Sequence, residues 1–132
     1  RVISQYPNIQ HWAVGGHSLG GVAASSYVSK HLDVLDGLIF WASYPADNSL
    51  TNATIKVLSI YGTKDMGGMA SFEQSRAQLP ADAQFVVIDG GNHAQFGSYG
   101  PQAGDNVAEI SPEEQWTQIT EATVLFLDSL SK

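Results

Sequence analysis

The sequence predicts an α/β fold in which a parallel sheet of about four strands is flanked by helices. Short apolar runs follow one another along the chain, and segments with helical spacing or helix-capping residues lie between and after them. The runs are almost continuously apolar, which is typical of strands that are covered on both faces of a parallel sheet. Strands that alternate with helices indicate an α/β protein. A chain of 132 residues suits a single domain, and we assign residues 1–132 to it.

The composition excludes several classes of protein. The hydrophobic fraction of 43% is that of a globular protein, and the formal net charge is −7 from 6 basic and 13 acidic residues. The chain therefore has no basic cluster for nucleic acid or an anionic membrane. Since cysteine is absent, disulfides and thiolate metal sites are excluded, and no cofactor is predicted. The chain begins at Arg1 in what reads as the tail of a helix, so we expect it to belong to a longer protein.

The first half of the chain contains two of the predicted strands and the first long helix. Pro7 stops an initial helix, because the residue before a proline is disfavoured in the helical region. The predicted elements are a helix end over 1–8, a strand over Gln10–Val14, a helix over Leu19–His31, a strand over Gly37–Ser43 and a polar loop over Tyr44–Thr54.

The second half contains the other two strands, a long loop and the last helix. Ser111 and Pro112 are a typical cap and first position of that helix. The loop over Ala94–Ile110 is long for a compact domain, which indicates a functional loop. The other predicted elements are strands over Ile55–Tyr61 and Phe85–Asp89, a helix over Ser71–Gln78, and a last apolar stripe of Trp116, Ile119, Ala122 or Thr123, Phe126 and Leu130.

The stretch between the first strand and its helix fits a catalytic motif. Gly16, Ser18 and Gly20 form the pattern G-x-S-x-G, in which a serine stands at the tip of a sharp strand-to-helix turn. Such a turn crowds the positions two before and two after the serine, where only very small side chains fit. Ser18 would be the nucleophile, and the backbone N–H of Leu19 would point at a bound group. The bare pattern also arises by chance.

A Gly-rich turn between a strand and a helix also describes phosphate-binding loops, so these were considered. His17 interrupts the dinucleotide pattern G-x-G-x-x-G, and no Lys-Ser or Lys-Thr pair follows the glycines as a P-loop requires. The missing glycine and lysine argue against a nucleotide-binding domain.

Reactive side chains follow three of the predicted strands: Ser18, Asp65 and His93. Ligand sites of parallel sheets lie outside the carboxyl ends of the strands, so we predict that the three side chains meet at one rim. A neutral imidazole can take the proton of a hydroxyl near pH 7, and a carboxylate holds its tautomer. Taken singly, Asp65 could cap the turn that follows it and His93 could be a solvated loop residue.

The chain resembles the C-terminal half of an α/β-hydrolase, most closely the dienelactone-hydrolase-like and esterase-like group. The resemblance implies that Ser18 is the nucleophile, His93 the general base and then acid, and Asp65 the carboxylate that orients it. It also implies that the later strands end an eight-stranded sheet whose early strands are absent here. The likeness covers almost the whole chain, and the stretches that carry it are Trp12–Gly21, Val57–Asp65 and Gly90–Gly97.

The resulting prediction is a serine hydrolase that cleaves a carboxylic ester or related acyl bond of a small molecule through an acyl-enzyme on Ser18. The family builds its oxyanion hole from two N–H donors. One corresponds to Leu19, and the other belongs to a loop after an early strand that this chain does not contain. The alternative is a non-catalytic scaffold or fragment with an incomplete site.

Several further residues are weaker candidates. Trp41, Tyr44 and Phe96 line an acyl or alcohol pocket or else belong to the core, as aromatic residues often do. His17 is expected to pack beside the turn that carries Ser18.

Two other acidic residues are weaker candidates. Asp89 is a rival to Asp65 but reaches His93 only through a tight turn. Asp105 could bind a cation with Asn106, although two oxygens fall well short of a calcium site.

The first strand, over Gln10–Val14, is expected to be a bare sheet edge because its usual neighbour is missing. Unpaired edges invite pairing with another copy, so we predict a homodimer through this strand.

Overall fold

The computed structural model describes residues 1–131, and it contains one four-stranded parallel sheet in the order β1–β2–β3–β4. The predicted α/β class and the parallel sheet are therefore confirmed. The strands are β1 (Ala13–His17), β2 (Gly37–Trp41), β3 (Lys56–Gly62) and β4 (Gln84–Ile88), and the helices are α1 (Val2–Gln5), α2 (Leu19–Val28), α3 (Gly68–Ser75) and α4 (Pro112–Ser129), with short 3-10 turns at Asn48–Leu50, Arg76–Gln78 and Ala94–Phe96.

Apolar side chains cover the sheet on both faces, as the continuous apolar runs predicted. On β2, Leu38 and Phe40 pack in a cluster that includes Val28 of α2, whereas Ile39 packs in a second cluster that includes Phe126 of α4. Successive residues of a strand point to opposite faces, so α2 and α4 lie on opposite sides of the sheet. Each face thereby holds its own part of the core.

Strand β1 begins and ends three residues later than the predicted strand over Gln10–Val14. Its register pairs Ala13 with Gly37 and His17 with Trp41, so the glycines that read as a turn lie inside the sheet. The two strands approach closely here, since a Cβ at Gly15 would lie 2.6 Å from the carbonyl oxygen of Ile39. The strand consequently runs directly up to Ser18.

Two other predicted elements are shorter in the structure. Helix α2 ends at Val28 instead of His31, and the chain leaves it through a turn in which His31 donates its N–H to the Val28 carbonyl at 2.9 Å. Strand β2 ends at Trp41 instead of Ser43, because Ala42 adopts a left-handed φ of 47° that breaks the extended backbone.

Helix α4 starts as predicted, since Ser111 accepts the N–H of Glu114 at 3.1 Å and Pro112 is the first helical residue. Near its start, the buried face of this helix differs from the predicted apolar stripe. Gln115 is fully buried, whereas the predicted Trp116 is 38% exposed. None of the helices within residues 1–131 combines the length and the apolar character that a membrane span needs.

Strand β1 is an edge of the sheet, as expected, because among residues 1–131 it pairs with β2 alone. The proposed homodimer through this edge stays a prediction.

The two outer glycines of the G-x-S-x-G pattern are predicted to respond differently to alanine. A Cβ at Gly16 would lie 2.4 Å from the backbone carbon of Gly20, whereas a Cβ at Gly20 meets nothing within 4 Å. The crowding expected from the sequence therefore applies to the first glycine only. We expect Gly16→Ala to lower the free energy of unfolding by about 3 kcal/mol or more. Gly20→Ala, its matched control, should raise it by up to about 1 kcal/mol.

Urea unfolding of both variants checks this expectation. Equal destabilisation by the two substitutions would contradict it.

Candidate active site

Three of the four strands lead into a predicted catalytic residue at the carboxyl edge of the sheet. Ser18 follows β1 directly, Asp65 lies three residues beyond the end of β3, and His93 lies five residues beyond the end of β4. Because the strands are parallel, these three ends face the same rim.

Ser18 has a backbone conformation that is rare for a residue with a side chain. Its φ of 54° and ψ of −127° lie outside the helical and extended regions, and it separates β1 from α2 without any intervening loop. Holding such a conformation costs on the order of 1–3 kcal/mol, and it persists only where the surroundings determine it. The structure thus has the sharp strand-to-helix turn that the pattern predicts.

Neighbouring backbone and one hydroxyl group hold Ser18 in this conformation. Its N–H donates to the carbonyl of Trp41 at 3.0 Å, and its own carbonyl accepts the N–H of Gly21 at 3.0 Å. The Ser43 hydroxyl donates to the same carbonyl at 2.6 Å. Ser43 is a supporting residue that the sequence did not reveal, because it reads as the last residue of the predicted strand over Gly37–Ser43.

His93 and Asp65 form a buried hydrogen-bonded pair. Nδ1 of His93 lies 2.8 Å from Oδ2 of Asp65, and their side chains are 8% and 2% exposed. The second carboxylate oxygen of Asp65 accepts the N–H of Gly67 at 2.8 Å, so Asp65 also caps the turn that follows it. The hydrogen bond to Asp65 raises the pKa of His93, and burial opposes this in part.

The other ring nitrogen of His93 is buried and unpaired. A proton shared between Nδ1 and the carboxylate leaves Nε2 as an acceptor. Among residues 1–131 this Nε2 has no hydrogen-bond partner. The Ser18 hydroxyl therefore does not hydrogen-bond to it in this conformation, although both residues belong to the same rim.

His17 packs beside the turn, as expected, and forms part of an aromatic stack. Its ring centroid lies 4.7 Å from that of His93, 5.9 Å from that of Phe96 and 6.0 Å from that of Tyr99. Burial lowers the pKa of His17, and the neighbouring His93 lowers it further. A neutral His17 adds no positive charge beside the ring of His93.

Gln115 fixes the residue that precedes His93. Its side-chain amide accepts the N–H of Asn92 at 3.1 Å and donates to the carbonyl of Asn92 at 2.8 Å. Sequence reasoning missed this residue because a polar side chain does not read as part of an apolar stripe. Its position four residues before the buried Ile119 is the signal that could have found it.

The aromatic candidates have different surroundings. Trp41 packs against the core under α4 and donates its indole N–H to Thr123 at 3.3 Å. Tyr44 is 46% exposed and meets Phe72 edge-on, while Phe96 is buried against His17. The core alternative accounts for Trp41 and Phe96, and a pocket-lining role for the three stays a prediction.

The other two acidic candidates, Asp89 and Asp105, form hydrogen bonds with other groups. Asp89 is exposed and accepts the Thr63 hydroxyl at 3.2 Å, whereas Asp65 is the carboxylate paired with His93. Asp105 accepts backbone N–H groups of the loops that carry Asp65 and His93, which occupies the oxygens a cation would need. Within residues 1–131, no three histidine or acidic side chains gather into a group that could hold a metal ion.

A cavity of about 510 Å³ lies under the long loop and not at Ser18. Residues of the loop and of the start of α4, including Asp105 and Trp116, line it, but Ser18 and His93 do not. It does not identify the substrate pocket.

Comparisons with known proteins agree with this architecture. A model of the alpha/beta hydrolase family matches residues 1–117. No curated protein matches the chain significantly.

Solved structures with the same fold include several hydrolases. The predicted CIB-like hydrolase from Thermoplasma acidophilum is 19% identical with a TM-score of 0.64, over 92% of this chain and 54% of its own. Dienelactone hydrolase from Anabaena variabilis is 22% identical with a TM-score of 0.58, over 69% and 44%. Est1E from Butyrivibrio proteoclasticus, with bound ferulic acid, is 13% identical with a TM-score of 0.67, over 98% and 66%. This chain thus spans about half the length of the first two.

The pairing of His93 with Asp65 predicts a specific change in titration. Asp65→Asn removes the carboxylate that favours the charged imidazole, so the pKa of His93 should fall. A pH titration of the His93 ring protons by NMR measures this. Asp89→Asn, which removes the same charge from an exposed site, is the matched control and should leave the pKa of His93 near its wild-type value. An unchanged pKa in Asp65→Asn would show that the pair does not form.

Proposed function

Because the chain belongs to the alpha/beta hydrolase family, we propose that it is a serine hydrolase, esterase-like in chemistry, that cleaves a carboxylic ester or related acyl bond of a small molecule. Ser18 is the nucleophile, His93 the general base and then acid, and Asp65 the carboxylate that orients His93. The observation that carries the proposal is the buried His93 with Nδ1 on a carboxylate and Nε2 unpaired. That state of an imidazole suits it to accept a proton.

The proposed reaction proceeds through an acyl-enzyme. The Ser18 hydroxyl passes its proton to Nε2 of His93 while its oxygen bonds to the carbonyl carbon of the ester. The tetrahedral intermediate then loses the alcohol, which takes the proton from Nε2. Water repeats the two proton transfers in the second half, releasing the acid and restoring the serine.

Asp65 acts through His93 in this scheme. Its hydrogen bond to Nδ1 keeps Nε2 as the acceptor in the resting state and stabilises the positive imidazolium that forms during each transfer. Its second oxygen is fixed by the N–H of Gly67, so the carboxylate cannot turn freely. These contacts support the proposed role of His93 as a positioned base.

The backbone N–H of Leu19 is the proposed oxyanion donor. Leu19 is the first residue of α2, so its N–H has no intrahelical partner and adjoins the nucleophile. Removal of one such donor in a well-studied protease costs about 2.7–4 kcal/mol of transition-state stabilisation. A second donor, on a segment outside this sequence, would therefore raise the rate by a large factor.

Labelling with a fluorophosphonate tests the proposed nucleophile. The serine oxygen should displace fluoride from phosphorus, and mass spectrometry of the digested protein should find the adduct on Ser18. Ser18→Ala should abolish labelling, and His93→Ala should slow it strongly because the base is lost. Ser43→Ala is unsuitable as a control, since Ser43 supports the turn, so the exposed Ser131 provides the control variant Ser131→Ala.

A wild-type protein that takes no label on Ser18 would contradict the proposed function. The result would instead favour a non-catalytic scaffold that keeps the fold.

The pH dependence of ester cleavage provides an independent check. Catalysis requires neutral His93, so kcat/KM should rise with pH through the pKa of this residue in the free protein. The carboxylates of Asp65 and Asp105 raise the pKa of His93, burial lowers it, and the net shift is upward. The pKa of the neighbouring His17 is lowered, so a neutral His17 lies beside this ring. The acidic limb should therefore lie above the ordinary histidine value near 6.5.

The measurement is a kcat/KM profile with a p-nitrophenyl ester, compared with the NMR titration of His93. If kcat/KM rises at a pH well below the pKa that NMR gives for His93, this residue is excluded as the base.

A further inference from the structure

Asp105, in the long loop before α4, receives hydrogen bonds from two loops of the site. Its Oδ1 accepts the N–H of Met66 at 3.1 Å and the N–H of His93 at 3.4 Å. Its Oδ2 accepts the N–H of Ala94 at 2.8 Å. One carboxylate therefore joins the residue after Asp65 to His93 itself and to the residue after it.

This link lies where the regular pairing of the sheet has ended. Among residues 1–131, the last backbone bond between the two loops is from the N–H of Lys64 to the carbonyl of Gly91 at 2.8 Å. Beyond it, the chain after β3 and the chain after β4 are free to separate unless side chains connect them. The Asp105 carboxylate connects the two loops by accepting their backbone N–H groups, next to the hydrogen-bonded side chains of Asp65 and His93.

The long loop is itself fixed in place around Asp105. Gly104 adopts a φ of +86° in a turn that is closed by the N–H of Asp105 bonding to the carbonyl of Gln102 at 3.1 Å. The next residue, Asn106, donates its side-chain amide to the Lys64 carbonyl at 3.1 Å. Asn92 donates in turn to the Asn106 carbonyl at 2.8 Å. The loop is thus tied to both sides of the site.

We propose that Asp105 is a positioning residue whose carboxylate clamps the Asp65 loop to the His93 loop and so holds the imidazole in its productive orientation. The proposal deepens the proposed function and rests on it, since the orientation matters for rate only if His93 is the base. It assigns a specific role to the long loop, whose length indicated a functional loop in the sequence.

The clamp acts through geometry and not through contact with the reacting atoms. The ring of His93 is fixed at Nδ1 by Asp65, and the backbone of His93 is fixed by Asp105 and, through Asn92, by Gln115. If the two loops shift apart, the bond from Nδ1 to Asp65 lengthens and the ring loses the orientation that this bond sets. A misplacement of about 1 Å can cost on the order of 10²-fold in rate.

The test combines kinetics with a spectroscopic signature in the full chain. Asp105→Ala should lower kcat for p-nitrophenyl acetate by about 10²-fold with little change in KM, because orientation and not binding is lost. The downfield ¹H NMR signal of the proton on Nδ1 of His93 should broaden or move. Asp105→Asn keeps one acceptor oxygen and should give an intermediate result in both measurements.

Two further variants separate the clamp from a general effect of charge or folding. Asp89→Asn removes one exposed charge from the same rim and should match the wild type in kcat and in the proton signal. Gly104→Ala meets no atom at its Cβ but strains the positive φ, so it should reproduce part of the Asp105→Ala defect while the carboxylate stays. If Asp105→Ala does not fold, Gly104→Ala tests the clamp in its place.

The possible outcomes are distinct. An Asp105→Ala protein with wild-type kcat and an unchanged proton signal overturns the proposal, and so does a loss of kcat without any change in that signal. If the wild-type protein neither cleaves the ester nor labels at Ser18, the proposed function fails, and the proton signal alone then decides whether Asp105 positions His93.

Discussion

The left-handed backbone of Ser18 is the constraint on which the rest of the structure depends. A residue with a side chain holds this conformation only when its neighbours over-determine it. Here the end of β2 does so, since the Trp41 carbonyl takes the N–H of Ser18 at 3.0 Å and the Ser43 hydroxyl donates to the carbonyl of Ser18 at 2.6 Å. The turn is therefore a product of two strand ends, not of the glycine pattern alone.

The end of β2 is itself unusual, and the two features fit each other. Ala42 has a φ of 47°, which bends the chain so that Ser43 leaves the strand beside α2. The fit is close, because a Cβ at Gly21 would lie 2.5 Å from the Ser43 hydroxyl oxygen. A third glycine beyond the G-x-S-x-G pattern is thus required by the hydroxyl that supports the turn. The strain at Ser18 and at Ala42 is stored where adjacent strands end at the same rim.

Local chemistry made part of this structure predictable from the sequence. Continuous apolar runs indicated buried parallel strands, and Ser111 with Pro112 marked the start of α4, because these signals act within a few residues. Strand β1 was misplaced because Gly15 and Gly16 read as a turn, whereas pairing with β2 keeps them extended.

The supporting residues of the candidate site depend on contacts that the sequence does not show, although the helical spacing of Gln115 and Ile119 marks Gln115 as part of a buried face. Ser43, Gln115 and Asp105 act through backbone groups that are distant in the chain. The roles of Ser18, Asp65 and His93 were suggested by their positions after strands, and the pairing of Asp65 with His93 is the part that depends on tertiary structure. In a site of this kind, the sequence identifies the reactive groups but not the residues that hold them in place.

The unpaired Nε2 of His93 is the acceptor that the candidate site leaves available. A buried acceptor without a partner costs about 1–3 kcal/mol, so a fold keeps one only if other contacts hold it there. Flipping the ring would not relieve this, because it would place a carbon atom against the carboxylate of Asp65 in place of Nδ1 and lose the charge-assisted bond. The ring is thus held with its acceptor unsatisfied among residues 1–131. A hydroxyl group that reached Nε2 would gain a hydrogen bond to the atom that, in the proposed reaction, takes its proton.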